Sequence, residues 1–329
     1  HCSLNTSGTL DVPVSMGGRA ADAMIDIREF LSGIPESGER REYPWGHRFY
    51  PAGRPRWQAW GEANYPAELQ FLTPLEVDVA SGRTFLAGIE DRTGCMIYTV
   101  AYECYKTYLM GGSPIGIRLA TVSEPGGKAR CITTGPWWLA VLQQPICHML
   151  REHIAYHPSA NSTMMRTDQA WHAVRGFSKL GIENLTEGGE YYVLSSDLKE
   201  ATDAVPLAVG KELINSFLKG IHADQWLWIT DLIGLRTVFT EDQDVFTLRR
   251  GVMMGEPLSK VILVLLGLVV EEIAYSETVG LSLSRDFTPT LTPNWRAYHL
   301  GGDDHLAIGP LSYLNKITAN HRSFGYNKS

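Results

Sequence analysis

Cysteine is scarce in this 329-residue chain, and the little there is follows no pairing pattern. The five cysteines (Cys2, Cys95, Cys104, Cys131 and Cys147) are odd in number, widely spread and contain no C-x-x-C pair. That excludes a disulfide scaffold and reads as a reduced intracellular protein with buried thiols. Long hydrophobic runs are missing too. The longest, Val261 to Val270, falls well short of the roughly 20 residues that a membrane span needs. No secretory signal opens the chain, and no internal repeat or low-complexity tract interrupts it. Neither sign of charge dominates: 29 basic residues stand against 36 acidic ones, a net −7. Such a balance excludes a surface that is basic all over. A local basic patch stays open, because partners respond to where charge sits.

What is present is ordinary for a globular protein: 44% apolar, 20% charged and 10% aromatic residues. A chain of this length buries a sizeable core and divides it between about two domains. It opens at His1 rather than Met and ends at Asn327-Lys328-Ser329 without a terminating pattern, so it reads as a fragment cut at both ends.

Periodicity predicts the elements. A loop and a short amphipathic helix fill 1–35. From Gly38 to Pro66, arginines (Arg40, Arg41, Arg48, Arg54, Arg56) alternate with aromatics among Pro and Gly. That texture suits an irregular loop, or a track for a nucleic-acid backbone with stacking bases. Helices are expected at Ile97–Met110, Leu139–Ala155, Leu207–Leu218, Gln225–Ile233 and Leu258–Tyr275, the last strongly apolar and therefore core. A β-prone run, Tyr191–Ser195, leads to Asp197, and two short strands flank the acidic turn Glu241 to Asp244. Finally Ala297–Leu300 and His305–Ile308 flank Gly301-Gly302-Asp303-Asp304, which is a hairpin signal.

Two acidic features carry chemistry: Asp197 with Asp203 six residues on, and the adjacent pair Asp303–Asp304. Neighbouring carboxylates repel and ionise together readily only when a cation shares them. Oxygen-only ligands at strand ends, without a His or Cys cluster, suit Mg²⁺ rather than zinc. Two such ions about 4 Å apart can activate an attacking hydroxyl and stabilise a leaving oxygen in phosphoryl transfer. Alone, a Gly-Asp-Asp turn is most often just a surface turn. Asp197 and Asp203 have a plain alternative as caps of a strand-to-helix turn. Lys128 and Arg130 follow Gly126-Gly127, and in an extended chain both point to one side. Their plain alternative is a solvated basic turn. His148, His153 and His157 lie at spacings that do not fit the His-Glu-x-x-His zinc pattern, so a packing or surface role is expected.

Order changes the odds. A Lys/Arg element at 124–130, Asp-x₅-Asp at 197–203, Gly-x₃-Ser at 255–259 and Gly-Asp-Asp at 302–304 follow one another. The series resembles motifs F, A, B and C of viral RNA-directed RNA polymerases. Asp-Leu-Lys-Glu-Ala-Thr-Asp, Met-Gly-Glu-Pro-Leu-Ser and Gly-Asp-Asp-His are similar to the narnavirus, ourmiavirus and botourmiavirus-like branch. The resemblance covers about residues 110 to 329.

It implies an α+β right-hand polymerase with fingers and palm, the palm a small antiparallel sheet packed on helices, and the thumb lying beyond Ser329. Residues 1–100 are an unassigned N-terminal region. Fingers with motif F would occupy 100–180, palm motif A 181–210, a fingers insertion 211–250, and palm motifs B, C and the start of D 251–329. By the same resemblance Asp197 and Asp303 would hold two Mg²⁺ ions, or Mn²⁺ in their place, with Asp304 assisting. Asp203 would read the ribose 2′-hydroxyl, and Lys128 and Arg130 would neutralise the triphosphate. Glu124 would position that loop, Gly255 would free the motif B loop, and Ser259 would lie near ribose and template base. The partners implied are an RNA template, its product strand and ribonucleoside triphosphates, and the setting is the host cytoplasm rather than the mitochondrion.

The sequence also departs from the broader pattern. Met254 stands where many positive-strand polymerases have Ser, and Leu263 where they have Asn. Lys328 matches the motif D cation at best loosely. Two rivals share part of the signal: a reverse transcriptase, and a catalytically inactive palm that only binds RNA. Asp203, where reverse transcriptases normally carry a bulky aromatic, favours RNA synthesis.

Overall fold

A computed structural model describes residues 4–5, 7–33, 41–42, 48–49, 89–165, 190–240, 244–281 and 295–328. In chain order the elements begin with α1 (Gly18–Gly33), β1 (Arg41–Glu42), β2 (Arg48–Phe49), α2 (Ile89–Gly111), β3 (Ile115–Glu124), β4 (Lys128–Thr134), α3 (Trp137–Ile154) and α4 (Asn161–Met165). Then come β5 (Tyr191–Ser196), β6 (Leu198–Lys199), α5 (Ala201–Ala204), α6 (Leu207–Gly220), a 3-10 helix (Asp224–Leu232), β7 (Arg236–Phe239) and β8 (Val245–Leu248). The last are α7 (Pro257–Val279), β9 (Ala297–Leu300), β10 (His305–Pro310), α8 (Leu311–Ser323) and β11 (Asn327–Lys328). The mixed α/β expectation, with small sheets packed on helices, holds.

The chain forms two compact units: His1–Ile146 with Leu218–Leu248, and Cys147–Phe217 with Arg249–Ser329. In the first, a four-stranded sheet runs in the order β4-β3-β7-β8. β3 pairs antiparallel with β4 and parallel with β7, Ile115 opposite Arg236. The sequence pointed to β7 and β8 and to an extended run from Lys128, which is β4, but not to β3 or its pairing with β4. Trp137, Leu139, Val141 and Leu142 at the start of α3 are buried, as are Ile97, Tyr98 and Ala101 of α2. The Trp137 indole donates to Asp26 at 2.6 Å, and the Tyr98 hydroxyl to the Leu142 carbonyl at 3.0 Å. Both polar handles are thus satisfied inside an apolar layer.

In the second unit β10 is the central strand of an antiparallel sheet ordered β5-β10-β9. Along β10, His305, Ala307 and Gly309 are buried and their neighbours only partly, the alternation of a strand with one covered face. Helix α7 is apolar on most sides, and Leu258, Val261 to Leu266, Val270 and Ala274 are buried along it. A helix of that texture is stable only as core. It begins with Pro257 in the first turn and ends at Gly280 in the left-handed conformation. Gly267 on α7 faces the hairpin so closely that a Cβ there would stand 2.6 Å from the Leu300 side chain.

One charged cluster is embedded in this unit. Glu271, 2% exposed, accepts both nitrogens of Arg296 at 2.8 and 2.7 Å, and the Tyr313 hydroxyl as well. The Arg296 guanidinium also reaches Glu272 and lies 3.8 Å from the Tyr275 ring centroid. Arg296 directly precedes β9, so the cluster ties the base of the hairpin to α7.

Candidate active site

β5 ends at Ser196, and Asp197 is the next residue. β5 and β10 pair in the register Ser196 opposite His305, so one further step along the register sets Asp197 across from Asp304. The Leu198 amide donates to the Asp303 carbonyl at 3.3 Å, and the Gly301 amide to the Asp304 carbonyl at 2.7 Å. These backbone bonds close the hairpin tip and fasten it to the segment after β5. All three aspartates are exposed. The Asp304 carboxyl is pushed above its usual range, first by partial desolvation and then by the charges of Asp303 and Asp197. The three acids therefore share one field.

The hairpin is braced from behind. Thr163 donates its hydroxyl to the Leu300 carbonyl at 2.6 Å, and the Leu300 amide donates to Ser159 at 3.0 Å. Beneath the tip, His305 stacks on His321 with ring centroids 4.8 Å apart, and Tyr298 and Tyr326 pack at either end of the pair. These rings are buried, which leaves the aspartates a rigid floor.

Among the described residues no group of three or more His, Cys, Asp or Glu side chains stands ready to hold a metal ion. The donor set still suits a hard divalent cation: oxygen ligands only, next to strand ends, with Asp304 raised by desolvation and then by the charges of Asp303 and Asp197.

Asp203 lies on the single turn of α5, exposed, with the Thr202 hydroxyl donating to its carboxylate at 3.1 Å. The turn is entered through Glu200 at φ 55°, an unusual left-handed conformation for that residue. The loop before α7 holds it: the Gly251 amide donates to Val205, and the Val252 amide to Thr202, each at 2.8 Å. Gly251 has φ +95°, and a Cβ there would lie 3.1 Å from Asp203 Cα and 3.2 Å from the Thr202 oxygen. The sequence reads Gly251 to Gly255 as a loop but gives no site role to Gly251 or its neighbour Arg250. The one signal was an Arg-Arg-Gly punctuating the approach to the apolar helix.

The other sequence candidates are placed as follows. Gly255 is exposed, at φ +110°, in the turn ahead of α7. Ser259 is buried, and its hydroxyl donates to the Met253 carbonyl at 2.7 Å, so in this structure it braces the loop from within. Lys128 and Arg130 occupy alternate positions of β4 in the first unit, opposite Glu124 and Val122, and Arg130 is exposed. Lys328 lies on β11 in register with Leu198 of β6. Of the arginine-aromatic stretch 38–66, only the four residues of β1 and β2 fall among the described ones.

No family model matches the chain. The chain is similar to a narnavirus RNA-directed RNA polymerase. That relative, from Saccharomyces 20S RNA narnavirus, is 30% identical over 135 residues, which cover 39% of this chain and 15% of the relative. The match thus spans only a minor share of that polymerase's length. Among solved structures, the RNA-dependent RNA polymerase of a human picorbirnavirus aligns with a TM-score of 0.47 and 16% identity, over 65% of this chain and 39% of that one. Apo telomerase from Candida Tropicalis, truncated from the C-terminal domain, aligns at 0.43 and 13%, over 65% and 48%. At these scores neither structural likeness decides fold or activity. Among the described residues no helix is long and apolar enough to cross a membrane.

Proposed function

We propose that this chain is the fingers-and-palm part of a viral RNA-directed RNA polymerase, which copies an RNA template from ribonucleoside triphosphates. The observation that supports the reading is the pairing of β5 with β10, whose last pair is Ser196 with His305, the residues next to Asp197 and Asp304. Similarity to the narnavirus polymerase supports it independently. In this reading the palm comprises 181–210 and 251–329, and the fingers 100–180 with 211–250.

The reaction is attack of an RNA 3′-hydroxyl on the α-phosphate of the incoming nucleotide, with pyrophosphate leaving. Asp197 and Asp303 would hold two Mg²⁺ ions with help from Asp304; bound there, the ions lower the hydroxyl's pKa and stabilise the leaving oxygen. The remaining steps belong to the chain's own side chains. Asp203 accepts a hydrogen bond from the ribose 2′-hydroxyl, the group that separates RNA from DNA. Lys128 and Arg130 balance the charge of the triphosphate. Gly255 lets the loop ahead of α7 move. Ser259, whose hydroxyl is spent on Met253, keeps that loop's base in shape.

The test is primer extension on an RNA template by the full-length protein containing this chain. Mg²⁺-dependent ribonucleotide incorporation that Asp303→Asn abolishes supports the reading. Incorporation of deoxynucleotides alone, or RNA binding without synthesis, overturns it.

A further inference from the structure

The turn that carries Asp203 and the segment leading into β11 are held by one side chain. Arg250 donates from Nε to the Ala204 carbonyl at 2.6 Å and from a terminal nitrogen to the Phe324 carbonyl at 2.9 Å. Gly325, at φ +90°, lies directly against the guanidinium, and a Cβ at that position would overlap it. Gly251 and Val252, next in the chain, hold the carbonyls of Val205 and Thr202. Three of the four carbonyls from 202 to 205 are therefore bound by the run 250–252, and only Arg250 reaches the far segment as well.

The chemistry of the side chain suits this task. A guanidinium is planar and presents donors in a fixed fork, so it can satisfy two carbonyls on different segments at once. A lysine is a point charge on a flexible stem and sets no such angle. Arg250 is exposed, so its contribution to overall stability is small; what it controls is geometry. Geometry matters here because a displacement of about 1 Å at a reacting centre costs on the order of 100-fold in rate.

We propose that Arg250 is a positioning residue for nucleotide selection: by pinning the Asp203 turn to the Phe324–Gly325 segment, it sets discrimination between ribose and deoxyribose substrates. The inference rests on the polymerase reading above and on the role given there to Asp203.

The experiment compares single-nucleotide addition from matched ribo- and deoxyribonucleoside triphosphates by the full-length polymerase and its variants. Arg250→Ala lowers kcat/KM for the ribonucleotide about tenfold or more and leaves the deoxynucleotide nearly unchanged, so the ratio collapses. Arg250→Lys restores only part of the ratio. Gly325→Ala keeps every charge but displaces the guanidinium, and reproduces the loss. Adding Arg250→Ala to Asp203→Ala changes the ratio no further, because both act through one carboxylate. Melting curves identify variants that do not fold, and the folded ones among Arg250→Lys and Gly325→Ala then decide. An unchanged ratio in those variants, or equal losses for both substrates, overturns the proposal. If the parent protein incorporates no ribonucleotide at all, it is the polymerase reading that fails, and this inference goes with it.

Discussion

The amide of Leu198 donates to the carbonyl of Asp303, joining the residue after one acidic position to the tip that carries the other two. The pairing of β5 with β10 ends at Ser196 and His305, and backbone bonds from Leu198 and Gly301 carry the connection on to the acids. The tip is thus fastened by main-chain bonds, which a change in the side chain of Asp303 or Asp304 leaves in place.

Neutralising one of them should therefore spare the fold. Asp303→Asn and Asp304→Asn are expected to melt at or above the parent's temperature in metal-free buffer, because like-charge repulsion is relieved. Added Mg²⁺ should raise the parent's melting temperature and not the variants'. Ribonucleotide incorporation should fall by about 10³ or more, the scale of losing several kcal/mol of charge stabilisation. Calorimetry with and without Mg²⁺, alongside primer extension, tests both halves. A variant that unfolds without metal would contradict the backbone argument.

Gly251→Ala should destabilise the second unit. The residue is at φ +95° and its new methyl would press on Asp203 Cα and the Thr202 oxygen. A cost of about 1–3 kcal/mol is expected from the backbone strain alone. Urea unfolding measures it, and a midpoint equal to the parent's would refute the close approach.

Glu271→Leu removes the acceptor of two Arg296 bonds and of the Tyr313 hydroxyl. Leaving a largely buried arginine short of its partner costs about 3 kcal/mol. Replacing Arg296 by Met in the same chain should recover much of that loss, since an apolar pair of similar volume fills the space without a charge. Denaturation of the two single variants and the double variant gives the coupling directly.

His299 on β9 titrates below its ordinary 6.5 because burial disfavours the charged ring. Between the lowered value and 6.5 the unfolded chain binds more protons than the folded one. The neutral ring's contribution is thus fully present above 6.5 and is lost as pH falls through the lowered value. His299→Gln should flatten the acid side of a melting-temperature profile taken from about pH 7.5 to 5. A profile as steep as the parent's would assign the acid loss to other groups.

Much of the site could be read from the sequence because its signals are local. Tyr191–Ser195 is a β-prone run that leads to an acid, and the β9–β10 hairpin announces itself by strand residues around Gly301 and Gly302. Helix α7 carries its burial in composition. The extended run of β4 was visible, but β3 was not, and the parallel partner β7 of β3 lies more than a hundred residues away, where no local pattern reaches. Helix α8 shows Tyr313, Leu314 and Ile317 at helical spacing, but its end is set by His321 packing against Tyr326, a tertiary matter. Arg250 was invisible for a different reason. Its partners are the carbonyls of Ala204 and Phe324, and a carbonyl acceptor leaves no mark on residue type.

Gly267 gives the unit an adjustable spacing. With no side chain there, α7 and Leu300 approach until the helix backbone itself sets the limit. Each atom added at that position would act as a shim under the strand that runs into Gly301 and the aspartates. The distance from the buried helix to the acidic tip is thus written at a residue with no side chain of its own, and graded substitutions there would tilt the tip without altering any of its carboxylates.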